Sequence, residues 1–196
     1  MTDDRGWMLE LRCGNQLGPL DSILRTSERL VIRTWSAETF DMALQVSRNL
    51  FQYFAADSEI LHSSADVDRQ RGSVISLALG LDLLKLPSQG HPIGIIEDRG
   101  LVLRKRNGRT TAYELQAGLG AIYLRPSAGG RLELVIWGCD DWGLRLASRL
   151  LPMLTGVGQP EFIVVSNACA WKGAAGVLAM GSFDNSWNVS EASFIS

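Results

Sequence analysis

The sequence predicts an α/β domain whose mixed sheet is built from two strand–helix–strand (βαβ) units joined by an antiparallel β-meander. Three observations carry that expectation. Residues 30–79 and 131–166 each run from a short apolar segment ending in Trp, through a helical pattern, to an uncharged apolar run. Between them the pattern shortens to alternating runs separated by turn residues, the mark of antiparallel strands. The echo between the two outer stretches implies right-handed crossovers onto one sheet.

Residues 1–29 read as an N-terminal extension and 30–196 as a single α/β domain. Leu30 to Trp35 is the first expected strand, with Ser36 as a helix N-cap and Glu38 in the first turn, where negative charge suits the helix dipole. Phe40, Ala43, Leu44, Ser47, Leu50, Phe51 and Phe54 recur at three- and four-residue spacing, which predicts one apolar stripe buried against the sheet. His62 to Gly72, with Ser63, Ser64, Asp66 and Asp68, is polar and reads as an exposed loop. Ser73 to Leu79 has no charge, as expected of a strand covered on both faces.

Ile93 to Glu97, Leu101 to Arg106, Arg109 to Glu114 and Leu119 to Arg125 are the expected meander. Asp98-Arg99-Gly100 and Asn107-Gly108 supply its turns, the second as a two-residue hairpin signal. Arg131 to Trp137 then opens the second unit, followed by caps at Asp140 and Asp141 and a stripe of Leu144, Ala147, Leu150, Leu151 and Leu154. Pro152 should kink or end that helix early, and Gly156 stands where a helix C-terminal glycine belongs. Phe162 to Ser166 is the last expected strand.

A length of 196 residues suits one domain with a substantial core, and 46% hydrophobic against 20% charged residues excludes wholesale disorder. A net charge of -2 with scattered Lys and Arg leaves no footprint for nucleic acid. No run reaches the length of a membrane span and the first residues hold no signal-type apolar segment, so a cytoplasmic chain without membrane contact is expected. The abrupt start, without a clear first element, is also what a fragment would show. Cys13, Cys139 and Cys169 are odd in number and widely spaced, fitting buried free thiols better than disulfides or a zinc site.

No complete catalytic motif is recognisable. A Gly-x-Ser-x-Gly nucleophile elbow is absent. His62 and His91 are the two histidines, and both read as exposed loop residues outside any relay. Asp66 and Asp68 beside His62 lack further ligands to close a metal site. Gly118-Leu119-Gly120 begins a phosphate-cradling pattern, but Tyr123 replaces its third glycine and a strand follows. Gly138 to Gly143 lies where α/β folds bind ligands, yet Asp140 and Asp141 would repel a phosphate and suit capping. Cys139 at that helix start is either reactive or a structural thiol, the second being favoured without a base. Trp171, Phe183 and Trp187 either pack across a sheet edge or mark a contact surface for another domain. Asn188-Val189-Ser190 is a glycosylation sequon, relevant only to an exported chain. No residue is therefore assigned as catalytic, cofactor-binding or metal-ligating, and no cofactor is expected.

Asn49 to Asp57 (NLFQYFAAD), Pro152 to Pro160 (PMLTGVGQP) and Ala179 to Asp184 (AMGSFD) resemble the C-terminal region of large fungal proteins of the prolyl-oligopeptidase-type α/β hydrolase class. The resemblance covers most of residues 30–190. It implies peptidase-like chemistry resting on a Ser, Asp and His; no position here matches the Ser motif, so no catalytic residue carries over. The expected function is a non-catalytic α/β module that packs against another domain or subunit, such as a missing N-terminal catalytic domain. Its rivals are a small serine or cysteine hydrolase using Cys139 or a loop Ser with His62 or His91, and a small-ligand-binding domain near Trp35, Gly80 and Gly138.

Overall fold

The computed structural model describes residues 11, 12, 14–26, 28–62, 72–86, 91–96, 99–127, 130–151 and 159–196. Its helices pack on a mixed eight-stranded sheet, beside a small antiparallel sheet of three strands. The larger sheet contains β1 (Leu30–Thr34), β2 (Ser58–His62), β3 (Val74–Leu79), β7 (Gly120–Ser127), β8 (Arg131–Gly138), β9 (Phe162–Val165), β10 (Val177–Gly181) and β11 (Phe194–Ile195). Across the sheet they run β11, β10, β9, β7, β8, β3, β1, β2. The β2, β1, β3 and β8 strands are mutually parallel, while β7 is antiparallel to both β8 and β9. The small sheet is β4 (Ile93–Ile96), β5 (Gly100–Arg104) and β6 (Thr110–Tyr113).

Two features depart from the expected layout. An edge strand, β2, lies between α1 (Phe40–Phe54) and β3 in the chain, so β1 has β2 on one side and β3 on the other. The expected four-stranded meander divides: β4 to β6 leave the main sheet, and β7 enters it between β8 and β9. β7 pairs over its whole length with β8, from Gly120 opposite Gly138 to Ser127 opposite Arg131, and its uncharged stretch Gly120 to Leu124 is buried. The β5–β6 connection also differs from the two-residue form. Gly108 alone of the Asn-Gly pair takes a positive φ, 81°, and its N–H donates to the Lys105 carbonyl at 3.0 Å, so the turn runs from Lys105 to Gly108.

Helix α1 begins after a 3-10 turn, Ala37–Thr39, and Ser36 makes no side-chain capping bond. Its end is a left-handed (αL) cap: Ala55 at φ 52° donates to the Phe51 carbonyl, and Ala56 reaches back to that of Leu50. The buried side is Ala43, Val46 and Leu50. Phe40, Leu44 and Phe51, expected to face the sheet, are instead exposed, because the face centred on Val46 and Leu50 is the one turned to the strands.

Helix α2 (Asp141–Ser148) is capped as expected, the Asp140 carboxylate accepting from Gly143 N at 2.7 Å. It stops at Ser148, four residues before Pro152, whose ring would strike the Ser148 carbonyl in a continuing helix. Pro152 itself, Leu154 and Gly156 lie outside the described residues. The helix rests on β7 and β8 through glycine: a Cβ on Gly138 would lie 2.0 Å from Leu144 N, and one on Gly143 2.1 Å from the Leu119 carbonyl oxygen. Since α1 touches α2, both helices cover the sheet face that carries Gly120 and Gly138.

The opposite face carries Arg33, Ser76, Glu133, Arg125 and Tyr123, placed together by the register of β1, β3, β8 and β7. Rings from elsewhere cover its Tyr123 end, with His91 stacked on Tyr123 at 5.2 Å and Phe183 against His91 and Phe162. Residues before β1 also join the core: Leu20 and Ile23 are buried in it. The short helix α3 (Cys169–Lys172) follows β9.

Candidate functional site

Open α/β sheets bind ligands at the carboxyl ends of their strands, where the chain leaves one strand in opposite directions. Here that place is the β1/β3 boundary, since β2 and β3 flank β1. Trp35 and Ser36 follow β1, Gly80 follows β3, and Cys139 and Asp140 follow β8. The end of β8 is stitched to the end of β3 and to the start of β7 by the chain itself. The fully buried Trp137 donates its indole N–H to the Gly80 carbonyl at 2.8 Å, and Cys139 N donates to the Leu119 carbonyl at 2.8 Å. Asp140 also accepts from Gly118 N at 3.1 and 3.2 Å, so the Gly118-Leu119-Gly120 glycines serve a loop tie and the α2 contact. Beside β1 two polar atoms are left over: Trp35 Nε1 and Ser36 Oγ are buried without a hydrogen-bond partner. Burial and then the charge of Asp140 push the Cys139 thiol up, away from the thiolate a nucleophile needs.

The histidines sit apart. His62 ends β2, exposed, with Nδ1 3.3 Å from Thr34 Oγ1. His91 is not the exposed loop residue expected: it is 7% exposed, sandwiched between Tyr123 and Phe183, with Nδ1 accepting from Ile93 N at 3.2 Å. Burial lowers its pKa to about 3, and its Nε2 has no hydrogen-bond partner of standard geometry. Neither imidazole hydrogen-bonds a Ser or Cys among the described residues. Among those residues no group of three or more His, Cys, Asp or Glu is placed to hold a metal, and Asp66 and Asp68 lie outside them.

The main polar construction of the interior is a charge cluster that sequence reasoning missed. Glu133, 3% exposed, takes Arg125 Nε at 2.7 Å on one carboxylate oxygen and both the Arg33 guanidinium and the Ser76 hydroxyl on the other. Burial alone would raise the Glu133 pKa; Arg125, then Arg33, and the Ser76 hydroxyl overcome it and hold the carboxyl below its ordinary value. A second buried pair joins Arg12 to Glu161 at 2.6 and 2.9 Å, tying the segment before β1 to the start of β9. A signal for the first existed: single charges, Arg33 and Glu133, inside otherwise apolar strand runs, in Leu30 to Thr34 and Leu132 to Trp137.

The surface carries a different kind of feature. Phe40, Leu44 and Phe51 are 47, 45 and 67% exposed and share one side of α1 at spacings of four and seven. α1 packs over β2, the outermost strand of the described sheet on that side. The aromatic residues of the tail divide: Phe183 and Trp187 are buried, with Arg12 over the Trp187 ring at 4.5 Å, whereas Trp171 is exposed.

No family model matches the chain. It is 41% identical to an uncharacterised secreted protein of Arthroderma benhamiae over 94% of its own length, and it spans about a fifth (20%) of that relative. The relative's name overturns the expectation of a cytoplasmic location and points to secretion. A leader is written once, at the start of a whole polypeptide, so the first residues of a stretch that matches a fifth of a longer protein are no guide to export. No helix is long and apolar enough to cross a membrane among the described residues.

Proposed function

We propose that this chain is a non-catalytic α/β module of a longer exported polypeptide, akin to the C-terminal region of prolyl-oligopeptidase-type hydrolases, and that it acts by packing against the rest of that polypeptide. In this reading two strand–helix–strand segments, residues 30–79 and 131–166, cross over right-handed onto the shared sheet. The observation that carries it is the stripe of Phe40, Leu44 and Phe51, exposed on a helix that packs over β2, the outermost of the described strands on that side. Covering three such half-exposed side chains is worth about 1 kcal/mol or more each, and contiguous apolar patches of this kind mark contact surfaces. The occupant is the remainder of the chain's own longer form: the relative that it matches is about five times its length.

The test uses the part of the Arthroderma protein outside the matched stretch, expressed separately and mixed with this chain. Sedimentation should show a complex with the native chain and none with Phe40→Ser/Leu44→Ser/Phe51→Ser, whose thermal unfolding should stay within a few degrees of native. Absence of a complex with the native chain sinks the proposal. Esterase or peptidase turnover abolished by His62→Ala would replace it with the hydrolase reading. A second reading, a small ligand at the β1/β3 boundary, draws support from the unpartnered Trp35 Nε1 and Ser36 Oγ. Its test is a thermal-shift screen in which a stabilising compound loses its effect on Trp35→Phe.

A further inference from the structure

The tail between β10 and β11 carries Asn188-Val189-Ser190, the sole Asn-x-Ser/Thr triplet of the chain. The folded tail holds it in a definite way. Asp184 N donates to the Asn188 carbonyl at 2.8 Å, Trp187 takes a φ of 60°, and the Asp184 carboxylate accepts from Ser186 N and Asn188 N at 2.8 and 2.9 Å. Val189 is buried and bridges to Phe183 and Lys105, while Asn188 and Ser190 on either side of it are partly exposed. Among the described residues the Asn188 amide nitrogen hydrogen-bonds one group, donating at 3.2 and 3.3 Å to the two oxygens of Asp184. An N-linked sugar replaces one hydrogen of that nitrogen and leaves the other, which is enough to keep the Asp184 contact. The Ser190 hydroxyl, which the modifying enzyme must read, accepts from Ala192 N at 3.3 Å and lies outside the core.

We propose that Asn188 is an N-glycosylation site, modified before the Asp184–Ser190 turn closes. This rests on the export proposed above. The donor is a lipid-pyrophosphate-linked oligosaccharide. Nδ2 forms a bond to the anomeric carbon of its first sugar, the bond from that carbon to the phosphate oxygen breaks, the pyrophosphate lipid leaves with the electron pair, and the amide proton passes to a base. Once Val189 and Trp187 are packed the segment is no longer extended, so modification competes with folding and the native chain is partly occupied. The placement also suits the packing proposal. Phe183 and Trp187 anchor the tail through His91 on the sheet face opposite α1, so a glycan there leaves the Phe40, Leu44 and Phe51 surface clear.

The test places the 196-residue chain behind a cleavable secretion leader in yeast and measures its intact mass in cells and medium together, before and after peptide-N-glycosidase F. A glycosidase-sensitive fraction is expected in the native chain, with aspartate at 188 after treatment, and none in Ser190→Ala. Leader-cleaved chain without any sensitive mass overturns the site. The occupied fraction should rise in Phe183→Ala, whose tail docks more slowly; equal occupancy overturns the competition with folding. Because the leader forces entry into the secretory route, these outcomes are separate from the export reading, which fails if the natural polypeptide is found inside the cells that make it.

Discussion

Replacing Glu133 by Gln keeps the volume of the side chain and removes the negative charge that Arg33 and Arg125 share on a common face of the sheet. The side chains of the three are 3, 11 and 8% exposed, so little solvent screening softens the loss. Each carboxylate–guanidinium pair is worth about 4 kcal/mol at an effective dielectric near 20 and 4 Å, most of it offset by desolvation. The substitution takes the carboxylate charge away from both guanidiniums, and breaking a buried pair in this way costs about 3–5 kcal/mol. With a urea dependence of about 2 kcal/mol/M, the midpoint of Glu133→Gln should fall by about 1.5–2.5 M with an unchanged slope. Adding Arg33→Met and Arg125→Met removes both guanidinium charges that faced Glu133 and should recover at least half of the loss. The pH dependence has a definite sign. The folded Glu133 pKa lies below the ordinary value, so its stabilisation is complete above that ordinary value and is lost as pH falls through the folded one. A loss in Glu133→Gln below about 1 kcal/mol, or no recovery in the triple variant, would refute the argument that the cluster is a mutually dependent unit.

Three other perturbations read other parts of the molecule. His91 has a folded pKa of about 3 against an ordinary value of 6.5, so the unfolded chain takes up a proton first; stability should fall as pH drops from 6.5 toward 3, by about 1.4 kcal/mol per unit at the steepest, and urea titrations of His91→Gln should show that slope reduced. Gly143→Ala puts a Cβ against the Leu119 carbonyl oxygen at 2.1 Å and must lift α2 from β7, costing about 1–3 kcal/mol by chemical denaturation. Ala55→Gly relieves a left-handed alanine at the end of α1 and should stabilise by about 0.5–1 kcal/mol, read as a higher melting temperature.

How far these features could be read from sequence depended on whether the deciding interaction was local. The β7–β8 pair was legible because alternation and a short connection act between neighbours in the chain. The end of α2 was legible in part: Pro152 bars a helix from running on through it whatever surrounds it, and the chain already leaves the α-helix at Ser148, with Leu150 and Leu151 bonding three residues back. In α1 the periodicity was read correctly and the face only in part: Ala43 and Leu50 are buried as expected, but the buried side turns toward Val46 and leaves Phe40, Leu44 and Phe51 exposed, a choice that only the strands beneath make. His91 misled for a similar reason. Gly90 and Pro92 beside it are loop chemistry, but the rings of Tyr123 and Phe183, far off in sequence, bury it. The β2 strand was missed because five residues at a sheet edge, with Glu59 and His62 exposed, carry too little pattern. The Glu133 cluster needed the register of four strands, which no single segment contains.

The hairpin that places β7 beside β8 also bears on the order in which the molecule assembles. Its eight paired positions are joined by the few residues between Ser127 and Arg131, whereas β8 finds β3 only across more than fifty residues of chain and β1 finds β2 around a whole helix. Closing a short loop costs far less entropy than closing a long one. The centre of the sheet is thus its kinetically cheapest part, and the outer strands accrete on a ribbon that already exists. On that schedule the β1–α1–β2 margin, closed through one helix, forms as a second local piece and joins the ribbon when β3 meets β8.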